Sequence, residues 1–134
     1  MGNFSFKKDG TRSVDVVFDD DAIIELKELC RNSIANINAY PKDRFIGKGI
    51  VMCAGGIEYV TCAYVCIKAL RTLGCVLPIE VWHRADEMCC DSIKMIESAG
   101  ASCRSFSSEI ESKFNSVALK PAAIVESSFE EVLF

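Results

Sequence analysis

Residues that could contact a phosphorylated ligand follow two apolar segments of this chain. Gly55 and Gly56 come directly after the apolar run 50–54, and two glycines between a strand and a helix leave backbone N–H groups open to a phosphate. His83 and Glu87 follow a second apolar run, residues 79–82. Because ligands of an open parallel sheet bind beyond the carboxyl ends of its strands, we expect these residues at one edge of a sheet.

The side chains near these strand ends suggest separate roles toward a nucleotide. Glu87, which the pattern places one step into a helix capped by Asp86, is the candidate acceptor for a ribose hydroxyl. Lys120 lies in a later loop and could neutralise a diphosphate, although a solvated surface lysine would look the same. His83 is the only histidine, and its position suits either a ligand contact or a satisfied loop residue beside Trp82.

The turn at Ala54, Gly55 and Gly56 does not by itself identify the ligand. Its pattern, A-G-G-I-E-Y, lacks the third glycine of a dinucleotide-binding fingerprint, and no Gly-Lys-Ser/Thr follows it as in a P-loop. A plain tight turn explains the two glycines equally well. The aspartate triplet at residues 19–21 contains a formal Asp-x-Asp pattern, but it opens an amphipathic segment and is predicted to cap a helix.

The elements that must position these residues alternate between apolar runs and amphipathic segments. Strands are predicted at residues 47–54, 79–82, 101–106 and 130–134, and helices at 22–38, 57–73, 87–100 and 121–127, with 107–116 as a loop or helical turn. Alternation at Val14, Val16 and Phe18 also permits a short strand. The pattern predicts an α/β, Rossmann-like fold, in which a parallel sheet with flanking helices is preceded by an N-terminal helix.

The predicted domain organisation has two parts. Residues 1–44 form an N-terminal extension with one amphipathic helix, and residues 45–134 form the ligand-binding part. The chain stops inside the last predicted strand, so we expect the sheet to be truncated.

Composition limits the kind of partner and site. The chain has 134 residues, of which half are hydrophobic, so it is long enough for one small domain with a core. Its net charge of −4, with no block of basic residues, argues against nucleic acid as a partner. No apolar run is long enough to span a bilayer.

The cysteines number eight and none forms a Cys-x-x-Cys pair, so with one histidine a closed zinc site is not expected. Five of them fall within apolar patterns and are predicted to be small buried hydrophobes; the alternative is one or two disulfides in a luminal protein. These five are Cys30, Cys53, Cys62, Cys66 and Cys89.

Several segments of the chain carry a resemblance to a known family. They are residues 48–56 with Tyr59, residues 67–83, and residues 118–124 and 127–134. The string L-R-x-L-G-C-x-L-P-I-E-V-W-H over residues 70–83 is the most specific part. From residue 45 onward the chain resembles the fungal-type α-mannosyltransferase family that includes the α-1,3-mannosyltransferases of the Golgi.

The resemblance implies a GT-A glycosyltransferase fold and transfer of mannose from GDP-mannose, with retention, to a mannose hydroxyl of a glycan acceptor. It also implies Mn²⁺, which such enzymes hold with an Asp-x-Asp directly after the strand that contains Val132 and Phe134, so the metal ligands are expected outside this chain. No catalytic residue is assigned here, and we expect no turnover from residues 1–134 alone. The implied location is the Golgi membrane or lumen, with no signal anchor expected in these residues.

The nucleotide-binding prediction combines the resemblance with the rule on strand ends. It comprises Ala54, Gly55, Gly56, Tyr59, His83, Glu87 and Lys120. Two alternatives remain open: a UDP-sugar donor on the same fold, and a non-catalytic Rossmann-like module that binds a partner through its exposed sheet edge. An unpaired last strand also predicts self-association through that edge.

Overall fold

The computed structural model describes residues 3–6, 12–15, 19–41 and 43–134. The chain forms two units, which cover Met1–Tyr40 and Pro41–Phe134. The boundary predicted between residues 44 and 45 separates an N-terminal extension from the ligand-binding part. This assignment of ligand binding to residues 45–134 stays a prediction.

The first unit contains a strand pair and a helix. Strands β1 (Asn3–Phe6) and β2 (Arg12–Asp15) pair antiparallel, and helix α1 spans Asp20–Ala35. Val14 of the permitted short strand lies in β2, whereas Val16 and Phe18 lie outside the described residues.

The predicted cap of α1 is confirmed. The Asp19 side chain accepts hydrogen bonds from the backbone N–H groups of Asp21 and Ala22, at 3.0 and 3.4 Å. The helix buries none of its residues, and on its predicted apolar face Leu26, Cys30 and Ile34 are exposed.

The second unit contains a parallel sheet with helices against it. Its elements are β3 (Lys48–Cys53), α2 (Gly56–Thr72), β4 (Ile79–His83), α3 (Cys90–Ser98), β5 (Ser102–Ser105), α4 (Ser108–Lys113), a 3-10 turn (Ser116–Ala118), α5 (Leu119–Glu126) and β6 (Glu131–Leu133). The strand order is β5-β4-β3-β6, and all three neighbouring pairs are parallel. The predicted α/β, Rossmann-like architecture with a preceding helix is therefore confirmed.

The strand register brings the carboxyl ends of three strands to one edge. Cys53 of β3 pairs with Trp82 of β4, and His83 of β4 pairs with Ser105 of β5. β6 is an edge strand and also runs toward this side of the sheet, because it is parallel to β3. Self-association through its free edge stays a prediction.

The core lies on both faces of the sheet, because successive strand residues point to opposite sides. On one face, Ile50 and Val81 pack against α2 and α3. On the other face, Val51 packs with Trp82 and with α5. The inner side of α2 consists of Val60, Ala63 and Ile67, with Tyr64 and Leu70 partly buried.

Arg71 fixes the connections at the opposite, amino-terminal edge of the sheet. Its guanidinium donates to the carbonyls of Cys75 and Leu77, at 2.7 and 2.8 Å, and to the carbonyl of Gly100 at 2.5 Å. The first two bonds hold the turn between α2 and β4, and the third holds the turn between α3 and β5. Gly100 has a φ of +96°, which suits glycine at this helix end.

Two expectations about α3 are wrong. The helix begins at Cys90 with Cys89 as its N-cap residue, so Asp86 is not the cap and Glu87 is not in the helix. The Glu87 carbonyl accepts the N–H of Gly56 at 3.0 Å, and Met88 is buried in the core. These contacts hold the chain in a loop until Cys89.

The prediction of buried cysteines is also wrong for four of the five. Cys30, Cys62, Cys66 and Cys89 are exposed, and only Cys53 is partly buried. On α2 the reason is geometric, since the inner side is set by Val60, Ala63 and Ile67, and the two cysteines lie on other sides of the helix. All eight cysteines lie in the described part of the chain and are free thiols. Across the described ranges no helix combines the length and apolarity that crossing a membrane requires.

Candidate functional site

A cavity of about 280 Å³ lies at the carboxyl edge of the parallel sheet. The ends of β3 and β4 form its base, the residue after β5 closes one side, and the start of α5 with the preceding 3-10 turn forms another. It is lined by Cys53, Ala54, Gly55, Tyr59, Trp82, His83, Arg84, Glu87, Phe106, Ser116, Val117, Leu119 and Lys120.

The structure brings six of the seven sequence-predicted residues to this cavity. They are Ala54, Gly55, Tyr59, His83, Glu87 and Lys120. Gly56 is not among the lining residues, and its N–H group already donates to the carbonyl of Glu87. The expectation of open N–H groups at this turn therefore does not extend to Gly56.

Two buried aromatic rings form one wall of the cavity. The ring centroids of Trp82 and Phe106 lie 5.2 Å apart, with an angle of 37° between the planes. Such a wall offers an apolar surface to a base or sugar ring. Strand β4 places Trp82 on the same face as Val51 of β3, so the sheet itself sets the position of this wall.

His83 is buried and its protonated nitrogen can be assigned from its partner. The ring Nδ1 lies 2.8 Å from the carbonyl oxygen of Arg84. Because a carbonyl only accepts hydrogen bonds, Nδ1 carries the proton, and in the neutral ring Nε2 is an acceptor. His83 therefore can receive a hydrogen bond from a hydroxyl or N–H group of a ligand in the cavity.

At position 55 there is no space for a side chain, whereas the backbone torsion angles would permit any residue. The φ of −148° and ψ of 150° at Gly55 are extended values that any residue adopts. A Cβ at this position would overlap the carboxylate of Glu87 and would lie 2.8 Å from the Glu87 Cβ. The turn after β3 and the loop after β4 are thus packed directly against each other.

The cavity carries one cation that no described carboxylate pairs with. Arg84 also lines the cavity, but its guanidinium lies 3.5 Å from Asp86 and 3.7 Å from Glu111. Among the ion pairs of the described residues, Lys120 takes part in none, so its ammonium group can meet an anionic ligand. Glu87 is the one acidic side chain in the lining.

The pKa of the Cys53 thiol depends on burial and on two charged side chains of the cavity. Burial raises the pKa of its thiol to about 11, while the charge of Lys120 lowers this pKa and the charge of Glu87 raises it. The thiol is therefore neutral at physiological pH and is a poor nucleophile. Both charged side chains therefore lie within electrostatic range of the same thiol.

We predict that Cys53 resists alkylation at pH 7.5, whereas the exposed Cys62 and Cys66 react with iodoacetamide. The raised pKa favours the neutral thiol in the folded state, so this contribution to stability is complete below pH 9 and is lost as the pH rises toward 11. Mass spectrometry after a short pulse of reagent checks the order of reaction. Modification of Cys53 as fast as that of Cys62 would contradict the assignment.

Sequence reasoning missed Glu80, a buried carboxylate in the middle of β4. Its oxygens accept hydrogen bonds from the indole Nε1 of Trp82 at 3.0 Å and from the hydroxyl of Ser128 at 2.8 Å. The Nε of Arg104 lies 3.7 Å away. Glu80 therefore orients the aromatic wall. The available signal was an acidic residue within a strand that is otherwise covered on both faces.

Ser116, at the rim of the cavity, was also missed. It has a φ of +50°, which is unusual for a residue other than glycine. The strained residue directly precedes Val117, so it sets the course of the chain that forms this rim. No pattern in the sequence distinguishes it from the other serines of the segment 107–116.

The lining residues do not form a manganese site. No group of three or more His, Cys, Asp or Glu side chains that could hold a metal ion exists within the described ranges. Since Mn²⁺ prefers several oxygen ligands, the lone carboxylate of Glu87 does not fit it.

Comparison with known proteins gives one family. Residues 47–134 match a family model described as "Mannosyltransferase putative". The matched range contains every residue that lines the cavity. No curated protein and no solved structure is significantly similar to the chain.

Proposed function

Because this chain belongs to a mannosyltransferase family over residues 47–134, we propose that its cavity is the nucleotide site of a glycosyltransferase that transfers mannose from GDP-mannose to a mannose-containing glycan. One observation carries the proposal. A single cavity at the carboxyl edge of the sheet combines the acceptors of His83 and Glu87 with the ammonium group of Lys120, which pairs with no carboxylate of the described residues.

The cavity residues suit the separate parts of a nucleotide. Glu87 and the Nε2 of His83 accept hydrogen bonds, which fits ribose hydroxyls or the N–H groups of a base. The wall of Trp82 and Phe106 fits a flat, apolar ring face. Lys120 fits the diphosphate and stabilises the negative charge that develops when this group leaves.

The size of the cavity supports a position for the nucleoside in its interior. Its volume of about 280 Å³ lies near the lower limit of small-molecule sites, which is roughly 300 Å³. A complete nucleotide sugar therefore extends beyond it. Tyr59 and Val117 line the cavity and are 67% and 72% exposed, so we place the mannose between these side chains.

The finer assignments rest on the string over residues 70–83. We propose an α-1,3-mannosyltransferase of the GT-A type that acts in the Golgi. Manganese would assist the departure of the diphosphate in such an enzyme. Its ligands are not provided by the described residues of this chain, and the roles given above belong to this chain's own groups.

Replacing Lys120 with alanine should weaken GDP binding by roughly 10- to 150-fold, because a hydrogen bond to a charged group contributes about 1.5–3 kcal/mol. Guanosine, which has no phosphate, should bind the variant and the wild type alike. Binding is measured by fluorescence of Trp82, the only tryptophan of the chain and part of the cavity wall.

The matched control is Lys94→Ala, which removes the same charge from an exposed lysine on α3 outside the cavity. An equal loss of GDP and guanosine affinity in Lys120→Ala would contradict a contact with the diphosphate. Tighter binding of UDP than of GDP would support the UDP-sugar alternative. Failure of both nucleotides to bind wild-type protein would favour the non-catalytic module.

A further inference from the structure

Glu111 controls the loop after β4 although it does not line the cavity. This residue lies on α4, and its side chain is only 16% exposed. One carboxylate oxygen accepts the backbone N–H of Ala85 at 2.8 Å, and the other lies 3.7 Å from the guanidinium of Arg84. The contact joins residues that are 26 positions apart in the sequence.

The bond from Glu111 acts on one peptide group, which joins Arg84 to Ala85. The N–H of this group belongs to Ala85, and the carbonyl belongs to Arg84. That carbonyl accepts hydrogen bonds from the Nδ1 of His83 at 2.8 Å and from the N–H of Glu87 at 3.1 Å. Two cavity residues are therefore oriented by the carbonyl of the same peptide whose N–H is bound by Glu111.

A peptide group is planar and trans, so its N–H and carbonyl point in opposite directions. Holding the N–H of Ala85 toward α4 consequently aims the carbonyl of Arg84 at His83. If this peptide turned over, the carbonyl would leave Nδ1, and the ring would lose the acceptor that keeps the proton on this nitrogen.

We propose that Glu111 is a positioning residue that selects the tautomer of His83 through the peptide between Arg84 and Ala85. The neutral ring then presents Nε2 as an acceptor to the cavity. This acceptor discriminates between ligand groups, because it receives a hydroxyl or N–H donor and offers no donor to a phosphate oxygen. The statement about the ligand rests on the proposed nucleotide site, whereas the statement about the tautomer does not.

The ion pair between Glu111 and Arg84 has a second consequence for the ligand. It keeps the guanidinium of Arg84 next to two carboxylates, those of Glu111 and Asp86. The anionic part of a ligand is therefore left to Lys120. Donor groups of the ligand face His83, and its anionic groups face Lys120.

The tautomer can be measured without any ligand. The chain contains one histidine, so its ring nitrogens give a single set of signals in ¹⁵N NMR of the labelled protein at alkaline pH. We expect wild type to carry the proton on Nδ1. In Glu111→Ala the ring should change to the Nε2-protonated form or to a mixture of both forms.

A conservative variant and a neighbouring control separate this effect from a general loss of structure. Glu111→Gln keeps an oxygen that can accept the Ala85 N–H, so it should retain the wild-type tautomer. Glu109→Ala removes an exposed carboxylate from the same helix, where it pairs with Lys113 at 2.6 Å, and should also retain it. Should Glu111→Ala fail to fold, Glu111→Asp, whose side chain is one carbon shorter, serves instead and should shift the tautomer.

The tautomer of His83 in the Glu111 variants decides the proposal. An unchanged tautomer in Glu111→Ala or Glu111→Asp would overturn it, and so would a shift in Glu111→Gln as large as that in the alanine variant. In nucleoside titrations Glu111→Ala should bind guanosine about 2- to 12-fold more weakly, the effect of one neutral hydrogen bond. If the tautomer shifts but neither guanosine nor GDP binds wild type, the proposed function fails and the role of Glu111 stands.

Discussion

Replacing Glu80 with alanine will lower the free energy of unfolding by about 2–4 kcal/mol, because it removes a buried hydrogen-bond acceptor and leaves a cavity. Glu80 is 4% exposed, and its carboxylate accepts hydrogen bonds from Trp82 and Ser128. Removing it leaves the indole N–H without a partner inside the core. The pair with Arg104 adds little, because the arginine side chain is 55% exposed.

Urea unfolding followed by circular dichroism measures this effect. Glu80→Gln keeps the shape and an acceptor oxygen, so it should cost less than the alanine variant. The surface control is Glu131→Ala, which removes an exposed partner of Lys48 and should change stability by less than about 1 kcal/mol. A Glu80→Ala protein as stable as this control would show that the buried hydrogen bonds contribute nothing.

Glu80 also links stability to the cavity. Its bond to the Trp82 indole sets the ring that forms the aromatic wall, and its bond to Ser128 joins β4 to the chain that enters β6. A folded Glu80→Gln protein is therefore expected to show an altered Trp82 emission spectrum. The same carboxylate thus supports both the sheet and the proposed nucleotide site.

Replacing Gly55 with valine is expected to abolish measurable nucleotide binding, and alanine should weaken binding by at least about 10-fold. The added Cβ would overlap the carboxylate of Glu87, so the loop after β4 must move away from the turn after β3. The movement displaces Glu87 and disturbs His83, and a lost hydrogen bond to a charged group alone accounts for roughly 10- to 150-fold. The extended backbone of Gly55 accepts a side chain, so the effect comes from space and not from torsional strain.

The measurement is a titration of Trp82 fluorescence with GDP, alongside thermal unfolding. The fold should survive, because overpacking at one site costs about 1–3 kcal/mol. In the double variant Gly55→Ala with Glu87→Gly the overlap is relieved, so thermal stability should partly recover while binding stays weak. Wild-type affinity in Gly55→Ala would show that the ligand does not depend on this contact.

In residues 70–83 the sequence indicates the family, whereas the structure shows which contacts the individual residues make. This string carries the resemblance to the mannosyltransferases, yet it does not reveal what its residues do. In the structure Arg71 holds two turns at one edge of the sheet, Glu80 orients the aromatic wall, and His83 lies in the cavity at the other edge. One short segment thus contains a residue that stabilises the fold, a residue that orients the aromatic wall and a residue that lines the cavity.

The sequence by itself determined the order and type of the four strands and of helices α2, α3 and α5 in the second unit, and the edge at which the candidate residues meet. Hydrophobic periodicity, Asp19 before α1 and Gly74 after α2 are local signals, and each acts on the few residues beside it. Once the strands are taken as parallel, their carboxyl ends must share an edge. Gly55, His83 and Lys120 could therefore be brought together without coordinates.

Only the tertiary structure decided which contacts hold these residues in place. The start of α3 depends on the bond between Gly56 and Glu87, the aromatic wall depends on Glu80 and Ser128, and the loop after β4 depends on Glu111. The partners in these contacts lie, in the same order, 31, 48 and 26 positions apart. No local pattern encodes such pairs, because a buried polar group is satisfied by whatever the folded chain brings within reach.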